Sequence, residues 1–368
     1  MNKSNNILII GGGIIGLSIA IELKLRGAKV TVISRDFQEA ATNAAAGMLA
    51  PQAEAIPPGK MLDLCLKSRA LYPEWVQKIE SISGLETGYW PCGILTPVYT
   101  LKDRKNYALP NLNYQWLNQA AIHQYQPGLS PEVIGGWFYP QDGQVDSPYL
   151  YQSIIAATKE LKIDVIQGFV KEIICKKGKI HNIETSIGEF EAEHYVLATG
   201  AWSQQLLPIP VFPIKGQMLS LKIPSDLSTE NLPLQQVLFG NKTYIVPRKD
   251  GRIIIGATCE NIGFIDGNTA AGIQQLLGNA IRLYPVLRDY KILEFWWGFR
   301  PNTPDEMPIL GKSNYDNLTL ATGHYRNGIL LAPVTAMLIA NLIWNNQYDP
   351  LLTAFNYSRF MEAEIINN

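Results

Sequence analysis

The sequence predicts an α/β fold: a Rossmann-like domain joined to a second, mainly antiparallel α+β domain. Three observations carry that expectation. An apolar run, Ile7 to Ile10, stops at Gly11, Gly13 and Gly16 near the chain start. Two later strand-like segments, Tyr195 to Gly200 and Asn317 to Thr322, also run into glycine-led turns. Between them, residues 210–300 switch to short alternating strands joined by turns such as Lys249-Asp250-Gly251. At 368 residues, two domains are the prior.

The first unit reads strand (Ile7–Ile10), turn, helix (Ile14–Arg26, ending at Gly27) and strand (Lys29–Ile33). G-x-G-x-x-G in that setting is a dinucleotide fingerprint. One glycine permits the tight turn, one lets the backbone approach a pyrophosphate, and one lets helix and strand pack closely. The phosphates would rest on the free N–H groups around Ile14 and Ile15, where the helix dipole favours negative charge. A carboxylate normally follows about 20 residues on and holds a ribose hydroxyl. Here Ser34 and Arg35 fill that place, with Asp36 one step later. Two readings stand: Arg35 accepts a 2′-phosphate, or Ser34 makes a weaker ribose bond and the dinucleotide is held mainly elsewhere.

Composition removes several classes. A net charge of −1 gives no electrostatic reason to expect nucleic acid or an anionic membrane. No stretch approaches the ~20 apolar residues of a spanning helix, and no charged-then-apolar leader precedes the first strand. Cys65, Cys92, Cys175 and Cys259 are scattered, as expected of reduced cytoplasmic thiols. His123, His181, His194 and His324 lack metal-ligand spacing, so no metal is expected. Oligomeric state is left open, with a homo-oligomer as one option.

Next comes AATNAAAGMLAP, Ala40 to Pro51, whose small side chains let something large and flat lie against the backbone. G-x-G-x-x-G, an arginine and then T-x-A-A-A-G-M-L resembles the flavin-binding signature of the FAD-dependent D-amino-acid oxidase superfamily. AAAGML in particular resembles its glycine oxidase branch, whose members serve thiamine thiazole synthesis. The resemblance implies that Thr42, Ala45, Ala46, Gly47, Met48 and Leu49 face FAD. It also sets Arg35 within the flavin signature, which weakens the 2′-phosphate reading. The family more often has Glu at Ser34.

The remaining elements follow in order. Leu62–Ser81 has the apolar spacing of an amphipathic helix, and Gly93–Pro97 starts strand-like segments. Trp116–Tyr125 and Leu150–Leu161 read as helices, Ile163–Phe169 as a strand, and Val170–Phe190 as a hairpin turning at Lys177-Gly178. In the family, a valine at Val170 contacts adenine through its backbone. VLATGAWS resembles a second FAD-contact motif and implicates Thr199, Gly200 and Trp202. In the second domain, Pro213–Ile223, Gln236–Pro247 and Arg252–Thr258 read as strands and Thr269–Leu283 as a helix. Tyr244 falls on a position that lines the active site in glycine oxidases. FWWGFRPNTPDEMPILG, Phe295 to Gly311, resembles the family's G-x-R-P-x-[ST]-P-D-x-x-P motif. GHYRNGILLAP then enters a final helix near Ile329. By resemblance, His324, Tyr325, Arg326, Asn327, Gly328 and Ile329 lie beside the flavin.

The resemblance implies a discontinuous FAD-binding domain (1–85, 140–208 and 301–368) and a substrate domain (86–139 and 209–300). It implies noncovalent FAD, because the covalent attachment of related sarcosine oxidases uses a later cysteine than Cys259. The expected substrate is glycine or another small amino acid or amine, oxidised with molecular oxygen. A quinone-linked dehydrogenase and a non-catalytic flavin scaffold are the alternatives. Hydride chemistry belongs to the cofactor, so the protein's task is positioning. Arg300 is the expected carboxylate anchor, because a planar guanidinium grips a carboxylate bidentately. Its competing role is a salt bridge to Asp305 or Glu306. Tyr244 would assist, Arg326 would gate the site or touch substrate, and His324 would position backbone. Trp296 and Trp297 read as packing residues. No acid–base residue stands out.

Overall fold

A computed structural model describes residues 6–106, 113–224 and 232–361. The outer ends of the expected domains, 1–5 and 362–368, and the stretches 107–112 and 225–231 lie outside the described residues.

The apolar run forms strand Asn6–Ile10, buried on both faces: Ile7 and Ile9 pack into the core shared with the helices, and Leu8 and Ile10 pack against Val170, Ile180 and Ile183 of a separate antiparallel hairpin. Six strands lie in the order Ile309–Lys312, Leu318–Thr322, His194–Leu197, Asn6–Ile10, Lys29–Ser34, Asp164–Gln167. All neighbours are parallel except Ile309–Lys312, which pairs antiparallel at the edge. Helix Ile14–Leu25 packs against Gly328–Trp344 and Ser147–Glu160, and Lys60–Ser83 packs on the last two. Their shared core includes Leu17, Ile21, Leu64, Tyr72, Ile154, Leu331 and Leu338. Helix Gly328–Trp344 is buried nearly all round, so its helical identity comes from packing rather than from an amphipathic stripe.

The second sheet has eight strands, in the order Lys291–Asn302, Phe212–Lys222, Arg252–Gly256, Tyr244–Pro247, Val237–Phe239, Ile94–Val98, Gly135–Tyr139, Gln115–Asn118. Every pair is antiparallel except Val237–Phe239 with Ile94–Val98. Helix Ala270–Leu283 covers it through a second core containing Leu219, Ile245, Ile255, Leu276 and Leu283. Thr269 caps that helix by accepting from the Gly272 N–H at 3.1 Å.

Two sequence expectations need correction. Trp116–Tyr125 is not one helix: Gln115–Asn118 is a strand and the helix begins at Gln119. The strand gains a cross-strand partner for Trp116 in Trp137, edge to face at 5.0 Å, which a helical start would forfeit. Trp297 is not a packing residue, because the outer strand Lys291–Asn302 leaves it 39 % exposed. Trp296 is fastened instead, its indole N–H donating to the Ala44 carbonyl at 3.2 Å.

Candidate active site

An elongated cleft of about 450 Å³ runs from the carboxyl ends of Asn6–Ile10 and Lys29–Ser34 to the eight-stranded sheet. A ligand crevice at the carboxyl ends of a parallel sheet is where open α/β folds bind nucleotides. The glycines build its first wall. Gly11 has φ +117°, and a Cβ there would overlap the Ala198 carbonyl. A Cβ on Gly16 would overlap the Gly11 carbonyl, so this residue lets helix and strand close together. On Gly13 a Cβ would meet only Thr42 Oγ1, at 3.7 Å, and would otherwise project into open space. Thr42 itself holds the loop to the helix start, accepting from the Ile14 N–H at 3.0 Å.

Two helices begin at this cleft, at Ile14 and at Gly328. Neither N-cap residue supplies a side-chain cap and neither first turn holds an acidic residue; Thr42 takes only the Ile14 N–H, so no negative charge within either first turn offsets its positive dipole end. The second wall is the small-residue loop. Gly47, at φ +73°, lies so close to Val145 that any side chain would strike its carbonyl. Buried Arg248 fastens the same loop, donating to the Ala46 carbonyl at 2.8 Å and the Val145 carbonyl at 3.1 Å. A long cleft with bare backbone, two helix starts and small side chains fits a flavin dinucleotide.

At the far end, Arg300 and Tyr244 lie in slots made by missing side chains. A Cβ on Gly216 would collide with the Arg300 guanidinium, and one on Gly256 with the Tyr244 hydroxyl. Arg300 donates to the Thr258 carbonyl at 3.0 Å and to the Lys215 carbonyl at 3.5 Å, both neutral acceptors. Its expected competitor fails: Asp305 is taken by Arg359, with Nε 2.7 Å from the carboxylate, and Glu306 makes no ion pair among the described residues. The Tyr244 hydroxyl lies 3.7 Å from Met218 Sδ; burial raises its pKa, opposed by Arg300.

Most of the sequence candidates line this cleft, from Gly11, Gly13, Ile14, Ile15, Ser34 and Arg35 through Val170, Thr199 and Trp202 to His324, Tyr325 and Arg326. Gly16, Leu49 and Asn327 do not. Gly16 is the helix–strand contact already described, Leu49 sits in the core pairing with Gly143, and Asn327 holds the helix N-cap position. Arg35 has prior partners: it forms an ion pair with Glu39 and stands over the Trp202 ring at 4.6 Å. Among the described residues, Ser34 Oγ hydrogen-bonds only to the Asp36 carbonyl, at 3.5 Å. His324 is buried against Thr335 Oγ1 at 3.1 Å, and burial lowers its pKa to about 3, so the ring is neutral. Arg326 lies at the mouth, donating to the Tyr325 hydroxyl at 3.1 Å.

Sequence reasoning missed Glu54, a half-buried carboxylate lining the same cleft. Burial raises its pKa to about 7, with Arg326 and Arg300 opposing and Asp142 reinforcing the rise. Its only local signal was an acid shortly after the small-residue run.

The chain matches the family described as FAD dependent oxidoreductase over residues 6–342. It belongs to that family. FAD is therefore its cofactor and the protein is an enzyme. It is 57 % identical over 361 residues to the bifunctional protein ThiO/ThiG of Nostoc sp., covering 97 % of this chain and 55 % of that protein. The glycine oxidase of Bacillus licheniformis is 32 % identical over 358 residues, covering 94 % of this chain and 95 % of that one. The crystal structure of glycine oxidase from Geobacillus kaustophilus superposes with a TM-score of 0.90 at 30 % identity, covering 97 % and 99 % of the two chains. The chain spans about half the length of the bifunctional relatives it matches. Among the described residues, no helix is long and apolar enough to cross a membrane, and no cluster could hold a metal ion.

Proposed function

We propose that this enzyme catalyses oxidative deamination of glycine or another small amino acid or secondary amine in the cytoplasm. The products are an imine that hydrolyses to the oxo acid, ammonia, and hydrogen peroxide from molecular oxygen. The reading includes service to thiamine thiazole synthesis, supported by the relatives named ThiO/ThiG and glycine oxidase. The observation that carries it is the pairing of a flavin-sized cleft with a guanidinium held at its far end by neutral groups, the Thr258 and Lys215 carbonyls and the Tyr244 side chain.

The cradle would be formed by Gly11 to Ile15, Thr42 and Ala45 to Met48, with Val170, Thr199, Gly200 and Trp202 along the nucleotide half. Gly328 and Ile329 would present the second helix start. When bound, FAD supplies the acceptor for hydride from the substrate α-carbon. Arg300 binds the substrate carboxylate through its planar fork, and the Tyr244 hydroxyl donates to the same group. Together they fix the α-carbon, so the rate gain from these residues is one of positioning. Neutral His324 anchors its turn through Thr335 and takes no proton.

The purified protein should be yellow, release FAD on denaturation, and produce peroxide from glycine and sarcosine faster than from bulky D-amino acids. Colourless protein would remove the reading. Rapid reduction of a quinone dye with background oxygen consumption would replace it with a dehydrogenase.

Ser34 should be a weak point in cofactor retention. A carboxylate there would make a charge-assisted bond to the ribose where a hydroxyl now makes a neutral one. Ser34→Glu is expected to tighten FAD binding by about 1 kcal/mol in a fluorescence titration. An equal or weaker dissociation constant would show that the ribose is already satisfied by other groups.

A further inference from the structure

Glycine reaches any enzyme at neutral pH as a zwitterion, and its ammonium nitrogen has no lone pair. Hydride cannot leave the α-carbon until that lone pair exists, because it becomes the π bond of the C=N product. A group in the cleft that takes the proton would let the enzyme use the abundant form of its substrate.

We propose that Glu54 is this proton acceptor, held in place by Asp142. The inference rests on the amine-oxidation reading above. Glu54 lines the cleft together with Arg300, Tyr244 and Arg326. Among the described residues its carboxylate makes no ion pair and no side-chain hydrogen bond. It is therefore available to an incoming ammonium, which sits within two bonds of the carboxylate that Arg300 anchors.

The loop carrying Glu54 is built more firmly than a surface turn requires. Asp142, fully buried, accepts the Gln52 N–H at 3.1 Å and the Ala53 N–H at 2.8 Å through one oxygen. Its other oxygen is paired with Arg69, which also reaches Gln141 Oε1 at 3.1 Å. The Glu54 N–H closes the turn on the Ala50 carbonyl at 3.0 Å. The buried aspartate thus fixes the two residues preceding Glu54, while an arginine on helix Lys60–Ser83 fixes the aspartate.

The charges around Glu54 set its proton affinity. Arg326 and Arg300 lower it, Asp142 raises it, and Tyr244 and Cys65 face it as neutral groups. Burial outweighs the arginines and leaves a pKa of about 7, so just above neutrality the carboxylate is ionised yet basic enough to accept. In the step, an N–H bond of R–NH3+ breaks and an O–H bond forms on Glu54, leaving the electron pair on nitrogen. After product departs, Glu54–COOH returns the proton to water.

The test is the pH dependence of kcat/KM for glycine, and of anaerobic flavin bleaching, in the holoenzyme and its Glu54→Gln and Glu54→Asp variants. The wild type should show an acid limb near the Glu54 pKa of about 7. Glu54→Gln must wait for the neutral amine, so its rate should climb to the amine's own alkaline pKa. It should lie roughly 100-fold below wild type at about pH 8, at tenfold per unit of missing ionisation. Glu54→Asp should keep the acid limb. FAD content should not change, and acetate, which has no ammonium, should bind Glu54→Gln at least as tightly as wild type. An unchanged profile, an equal loss at every pH, or weakened acetate binding would each overturn the proposal. If no amine bleaches the wild-type flavin at any pH, the oxidase reading fails and this role falls with it.

Discussion

Arg300→Ala should lower kcat/KM for glycine by roughly 30- to 5,000-fold while FAD stays bound. The guanidinium lies in the slot left by Gly216 and is held by the carbonyls of Thr258 and Lys215, so no carboxylate of the protein neutralises it at ion-pair distance among the described residues. A substrate carboxylate would complete a charge-assisted, bidentate pair in a partly dry cleft. Truncating one partner of such a pair costs about 2–5 kcal/mol, and each ~1.4 kcal/mol is tenfold in rate. An amine without a carboxylate should lose far less. Equal losses for both substrates, or loss of the flavin, would make Arg300 a structural residue bracing strand Phe212–Lys222. Asp305 does not supply that bracing, because Arg359 holds it.

Steady-state kinetics alone would not separate binding from positioning. The split should appear in both KM and kcat, since a glycine that binds loosely also presents its α-carbon poorly. Flavin bleaching by glycine under anaerobic conditions reads the chemical step directly.

The parts of this protein legible in its sequence are those whose signals are local. Gly11, Gly13 and Gly16 after an apolar run specify a strand, turn and helix within a dozen residues, and that unit forms in the expected place. The helix read from Thr269 to Leu283 was equally legible, because a periodicity needs no distant partner, and Thr269 proves to be its N-cap. Trp116 was misread because its aromatic spacing fits a helix as well as a strand. What decides the matter is Trp137, far along the chain. Asn118 was the overlooked local sign: its side chain caps the true helix start, accepting from the Ala121 N–H at 2.9 Å.

The candidate site divides the same way. Arg300 and Tyr244 stood out because a motif surrounds each. Glu54 did not, since its interest lies in what faces it: Arg326 and Arg300 from late in the chain, and Asp142 from the middle. A buried carboxylate gripping two backbone N–H groups leaves no pattern in sequence. Nor do the empty places at Gly216 and Gly256, whose value is the side chain they admit from a neighbouring strand. Arg35 shows a partner that sequence could not reveal: it lines the cleft, as the resemblance implied, and also pairs with Glu39 and stands over the Trp202 ring.

Arg248→Met should produce the largest structural effect, and it should reach the cofactor. Arg248 is 4 % exposed and sits behind the small-residue loop. Its Nη atoms donate to Gln144 Oε1 and to the carbonyls of Val145 and Ala46, and its Nε faces Asp146 at 3.5 Å. Methionine fills much of the volume but donates nothing, so three buried acceptors lose a donor at about 1–3 kcal/mol each before relaxation. Asp146 keeps Arg252 at 2.6 Å, so the loss falls on the acceptors rather than on an abandoned charge. Relaxation and water entry should leave a net cost of roughly 3–5 kcal/mol, toward the lower end of the sum over three unsatisfied acceptors. The Ala46 carbonyl belongs to the cleft wall, so freeing it slackens the cradle from Ala45 to Met48. FAD affinity should fall with stability, and part of the drop in melting temperature should persist in apoprotein, where no ligand adds to stability by mass action. Arg248→Lys should recover only part of the loss, since one ammonium cannot reach three acceptors in the fork geometry of a guanidinium. A melting temperature within about 1 °C of wild type for apo Arg248→Met, where several degrees are expected, would show that water replaces the guanidinium without cost.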